Sequence, residues 1–148
     1  MTEAQATTTL NDLIEVTRDG QRFYEEAADK IGDETLRALF LRLIESRHAL
    51  IDELSAHVES LGATAASGGT VGGTLRTLYG ELRAGLAGDH SAAFVSQLEE
   101  AEDRLLHAFE HALEHDPDAL VRGILGRHFP KVRSMHDEMR NLKRNLTA

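Results

Sequence analysis

Residues 34–61 read ETLRALFLRLIESRHALIDELSAHVESL. Leu36, Leu39, Phe40, Leu43, Leu50, Leu54, Val58 and Leu61 recur three and four apart, the repeat of a helix that buries one side. At about 100 degrees per residue the stripe centres between Phe40 and Leu54, and Arg47 falls almost at its middle. The same stretch holds Glu45-x-x-His48, the acid and imidazole spacing of a carboxylate-bridged metal site in a helix bundle. Helical geometry pulls that pair apart. His48 lies about 100 degrees round from Arg47, at the flank, and Glu45 lies about 160 degrees away in the other sense, towards solvent. The residue that faces the core is therefore Arg47, which needs an acid inside the bundle.

The first helix is expected from about Thr9 to Ile31, with Thr9 as cap and Asp12 in a capping-box arrangement. Leu10, Leu13, Ile14, Thr17, Tyr24, Ala27, Ala28 and Ile31 share one face. Gly32 ends it and Asp33 caps the next helix. So short a link predicts an antiparallel hairpin. After the second helix, GATAASGGTVGG (residues 62–73) reads as a flexible linker. TLRTLYGELRAGLAG (residues 74–88) reads as a short amphipathic helix, with Leu75, Leu78, Tyr79, Leu82 and Leu86 on one side. The third long helix is expected over about Ser91–His115, with Phe94, Val95, Leu98, Ala101, Leu105, Phe109, Ala112 and Leu113 on its stripe. The HDPDAL restart places Asp116 as cap and Pro117 in the first turn of a fourth helix reaching about Leu146. Pro130 predicts a kink in it.

These helices are about 35 to 45 Å long, and residues 63–90 suffice to travel back along a bundle of that length. The expected fold is all-α: a ferritin-like antiparallel four-helix bundle with a long crossover, 63–90, carrying a short extra helix. An up-down-up-down bundle is the other topology the pattern allows. Residues 1–8 read as a flexible tail and 9–147 as one domain.

Composition narrows function by exclusion. Among 148 residues are 25 acids and 16 bases, a net charge of -9, which argues against a broad nucleic-acid surface. There is no cysteine, hence no disulfide, zinc–thiolate site or thiol nucleophile. The sequence shows no apolar run near the roughly 20 residues of a membrane span and no signal peptide at its start, so the expected location is cytoplasmic.

At mid-height the expected helices carry polar residues. Glu102 occupies a core-facing position on the third helix, with Glu99 at the edge of the stripe. Thr17, Gly20 and Gln21 form the middle of the first helix's face. His128 and His136 lie on or beside the stripe of the fourth. We therefore expect a buried Arg47–Glu102 pair, its network completed by Tyr24, Gln21 or His136. A di-metal centre would instead require an inward carboxylate from each of two helices and Glu-x-x-His from each of the others. Its candidate ligands here are Glu99, Glu102, His48 and His136, with iron or manganese as the metal. Arg133 stands where the fourth helix would need its acid. No catalytic or cofactor-binding residue is assigned. His107, His111 and His115 form a ladder at helical spacing opposite the core stripe, read as a solvated face. The glycines of SGGTVGG lack the Lys-Ser/Thr of a phosphate loop.

LNDLIEVTRDGQRFYEEAAD (10–29), LRALFLRLIESRHALIDELSAHVESLG (36–62), LEEAEDRLLHAFEHAL (98–113) and VRSMHDEMRNLK (132–143) together resemble the bacterial ferritin-like four-helix-bundle family described as a domain of unknown function. The resemblance spans about residues 9–145. It implies a ferritin-like fold, an analogy to stress responses and no established activity. In that family the second-helix arginine, here Arg47, and a Glu-x-x-Glu on the third helix, here Glu99 and Glu102, are typical. Likeness to rubrerythrins and ferritins is more distant, because the first-helix acid and the fourth-helix Glu-x-x-His are missing. The expected function is that of a non-enzymatic structural or binding protein, stress-associated, with no nucleic-acid or membrane partner and a homodimer as a plausible assembly. The alternative is a di-metal carboxylate oxidoreductase or a metal-binding protein with an atypical ligand set. A further option is a binding module that uses the crossover helix as a lid, with Tyr79 and Leu82 on its inner side.

Overall fold

The computed structural model describes residues 3–68, 91–116 and 118–147. Among them are four helices and no strand: α1 (Glu3–Lys30), α2 (Glu34–Ser60), α3 (Ser91–His115) and α4 (Ala119–Thr147). The fold is all-α and four-helical. The expected short helix over 74–88, with Tyr79 and Leu82, lies outside the described residues, as does most of the 63–90 crossover.

α1 packs against both α2 and α3, and α3 packs against α4. Late α1 meets early α2, where the Tyr24 and Phe40 rings stand 5.8 Å apart. Early α1 meets the chain that follows α2. There Asn11 donates to the Thr64 carbonyl at 3.2 Å and accepts from the Ala66 amide at 2.8 Å. Arg18 donates to the Ala66 carbonyl at 2.8 Å. Between α2 and α4, Arg42 pairs with Glu138 at 2.5 Å and Glu53 with His128 at 2.6 Å.

The core is one stripe from each helix. Leu10 and Ile14 come from α1, Phe40, Leu43 and Leu54 from α2, Leu98, Leu105 and Phe109 from α3, and Leu125 and Met139 from α4, all closed to solvent. Burying such stripes is the main stabilising contribution to a bundle, at about 1.5 to 3 kcal/mol for each large apolar side chain.

The helix ends follow local chemistry. The Asp33 carboxylate accepts from the amides of Thr35 (2.9 Å) and Leu36 (3.1 Å) and caps α2. At the other end Gly62 takes φ +80, donates to Glu59 O, and Ala63 donates to Val58 O. That is a Schellman ending, whose left-handed residue favours glycine.

Two expected boundaries move. Residues 3–8, expected as a tail before a Thr9 cap, are helical. Ala6, one turn upstream of Leu10, is itself buried and extends the stripe. The cap of α4 is Asp118 and not Asp116. Asp118 accepts from the amides of Leu120 (2.8 Å) and Val121 (3.4 Å), while Asp116 accepts from the Asp118 amide (2.9 Å). Proline has no N–H to offer a cap, so the first capped amides fall beyond it. α4 runs to Thr147, close to the expected end at Leu146, with Pro130 inside it, and Val121, Leu125, Val132, Met135 and Met139 bury a continuous stripe along it.

Candidate functional site

The centre of the bundle is built around Arg47. It is fully buried, and so is Glu102. Arg47 Nη2 donates to Glu102 Oε1 in a charge-assisted hydrogen bond. The Tyr24 hydroxyl donates to the same oxygen at 2.7 Å. Burial, reinforced by the Glu102 charge, pushes the Tyr24 phenol well above its ordinary pKa, so it remains a donor. The Arg47 guanidinium also stands 6.0 Å from the centre of the Tyr24 ring. Three helices thus meet at one carboxylate: α1 through Tyr24, α2 through Arg47 and α3 through Glu102.

Gly20 makes the room. A Cβ on Gly20 would lie 3.3 Å from Arg47 Cζ and 3.4 Å from both terminal nitrogens. The guanidinium therefore lies flat on the backbone of α1, where any side chain would crowd it. Thr17, one turn before, turns its hydroxyl back to the Leu13 carbonyl at 2.7 Å and takes no part.

Arg47 Nε and Nη1 and Glu102 Oε2 are enclosed with no hydrogen-bond partner among the described residues. A pair buried with unfilled hydrogen-bonding capacity gives little net stability over an apolar equivalent, yet losing one member strands a charge. The centre also does not fit a carboxylate-bridged metal pair. α1 presents Thr17 and Gly20 there, α2 presents a guanidinium that repels cations, and Glu102 Oε1 is already shared by Arg47 and Tyr24.

Two residues expected in this network lie elsewhere. Gln21 is half-buried and donates to Glu25 at 3.2 Å on the outer side of α1. It is displaced because the residue before it, Gly20, holds the central position. His136 is buried on α4 but bonds sideways. Its Nε2 meets Asp103 Oδ1 on α3, and its Nδ1 lies 3.1 Å from Asp137 Oδ1. Burial works to lower its pKa, but the hydrogen bonds to Asp137 and Asp103 and their negative charge outweigh burial and raise it above 6.5. Glu99 joins this second cluster. One donor atom each from Glu99, Asp103 and His136 lie within 4.8 Å of one another. Lys143 Nζ is 3.5 Å from Glu99. Of the four candidate metal ligands, the structure brings Glu99 and His136 together, leaves Glu102 with Arg47, and leaves His48 on the surface. The His48 side chain is 66% exposed and sits 3.5 Å from Asp52. Glu45 is exposed too.

Sequence reasoning passed over Asp103, whose signal is its one-turn spacing from Glu99. It also passed over Asp137, which carries no signal outside the three-dimensional packing, and it placed Gly20 on the inward face without giving it a role. The ladder of His107, His111 and His115 is exposed, as its place opposite the stripe implies. Two of the three also line a groove of about 630 Å³ between early α1 (Thr8, Asp12, Val16) and the end of α3 (His111, His115), with Asp116 just beyond it.

Residues 5–115 match the family model described as Domain of unknown function (DUF2383). The chain belongs to that family. The match takes in Gly20, Tyr24, Arg47 and Glu102 and ends with α3, so α4 and its His136 lie beyond it. No curated protein matches the chain. Among the described residues no helix is long and apolar enough to cross a membrane.

Proposed function

We propose that this DUF2383 chain is a non-enzymatic, ferritin-like bundle that acts as a cytoplasmic structural or binding protein. The observation that carries the reading is the occupancy of the bundle centre. A guanidinium, a carboxylate and a phenol close it with charge-assisted bonds, where a ferritin-like oxidoreductase would gather acids and imidazoles.

The ferritin-like, antiparallel topology has its own support. Late α1 contacts early α2, and early α1 shares a groove with late α3. The chain therefore leaves α2 and enters α3 at opposite ends of the bundle, as a long crossover requires. Stress association rests on the family likeness alone. A deletion strain that survives oxidative, osmotic and starvation stress as well as its parent would remove it.

The test of the central reading is metal analysis of purified, untagged protein. We expect no pair of metal ions whose retention depends on Glu102. About two equivalents of iron or manganese, lost in Glu102→Ala, would overturn it.

A further inference from the structure

We propose that Glu99, Asp103 and His136 form a mononuclear site for a first-row divalent cation on the α3–α4 seam. This site shares no residue with the Arg47–Glu102–Tyr24 centre and does not depend on the reading given for it.

Glu99 and Asp103 are one turn apart on α3, so their carboxylates hang over the same stretch of the seam. His136 enters from α4. Donor atoms from the three already lie within 4.8 Å of one another. Around one ion, with bonds of about 2.0 to 2.2 Å, such donors would stand roughly 3 to 4.4 Å apart. Side-chain rotation closes that difference without moving either helix.

A second feature points the same way. Asp137 Oδ1 lies 3.1 Å from His136 Nδ1, outside the ligand cluster. With Nδ1–H held by that carboxylate, Nε2, which meets Asp103 in the metal-free protein, is the nitrogen that would exchange its proton for the cation beside Asp103. That is how outer carboxylates fix the tautomer and ring orientation of a ligating histidine. His136 is 6% exposed, so its ring is also held by packing. The Asp103 side chain is 40% exposed, which leaves the remaining coordination positions open to water.

Two carboxylates and one imidazole suit zinc, cobalt, manganese or ferrous iron. An all-oxygen cage would suit calcium, and thiolates would suit cuprous copper. Lys143, 3.5 Å from Glu99, is the competing cation. Its long stem can carry the ammonium away when a dication arrives.

The experiment is calorimetric titration of the untagged full chain with Zn(II), paired with Co(II) absorption spectra. One equivalent per chain is expected. Asp103→Asn and His136→Gln should each weaken binding by at least about tenfold with helix content unchanged by circular dichroism, and Asp137→Asn should weaken it about 10- to 100-fold. Lys143→Gln should tighten it. Should His136→Gln fail to fold, Asp103→Asn and Glu99→Gln carry the test. The joint His111→Gln/His115→Gln variant should bind as the parent does. Absence of binding overturns the proposal. So does binding that survives Asp103→Asn and is lost in the His111/His115 variant. Neither result touches the reading of the centre, which is tested by Glu102 and a two-metal stoichiometry.

Discussion

Gly20 shows how one missing side chain sets the terms for a buried charge. Alanine is favoured over glycine within a helix by about 1 kcal/mol. Here the added methyl would meet the Arg47 guanidinium at 3.3 Å, and Arg47 is enclosed on every side. We expect Gly20→Ala to lower Tm in the parent and to raise it when Arg47 is leucine. Thermal denaturation of the two pairs checks this, and a rise in both backgrounds would show that the guanidinium does not need the gap. His136 makes a second prediction, for metal-free protein. Its folded pKa is raised, so the stabilisation it brings is fully present below its unfolded value of about 6.5 and is lost as pH rises through the folded value. Tm followed from about pH 6 to 9 in chelator should fall more steeply for the parent than for His136→Gln. Parallel slopes would count against the Asp103–His136–Asp137 contacts.

At the scale of the element, capping and packing decide the boundaries. Asp118→Ala should cost about 0.5 to 2 kcal/mol, because it removes the acceptor for the Leu120 and Val121 amides. Chemical denaturation measures it, and an unchanged midpoint would return the cap to Asp116. The faces of α2 and α3 were legible because periodicity on a single helix suffices to place Arg47 and Glu102 inward. What one helix cannot supply is its rotation and height against a neighbour. Gln21 is one residue from Gly20 and His136 is a mid-height residue, so both look suited to the centre. Packing instead gave the centre to the glycine and swung the imidazole to Asp103. The start of α1 was hidden for a related reason. Thr7, Thr8 and Thr9 weaken helix propensity, and the burial of Ala6 beside Leu10 in the assembled core works against them.

For the molecule as a whole, the polar centre contributes little net stability over an apolar one, and its expected role is to define the packing. Four apolar stripes can slide or rotate past one another with modest loss, whereas a guanidinium, a carboxylate and a phenol meet in one arrangement. The ion pairs between α2 and α4 are poor substitutes. Arg42 and Glu138 are 62% and 38% exposed, and such pairs contribute at most about 1 kcal/mol. The most direct measurement is a double-mutant cycle on Arg47→Leu and Glu102→Leu, read by chemical denaturation together with NMR line shape and oligomeric state. Each single change should cost about 3 to 5 kcal/mol, since it strands a buried charge, and the double variant should recover most of that loss. If the pair also fixes helix register, the recovered variant will show broadened or multiple resonances. Additive losses in the double variant would contradict a directly paired centre.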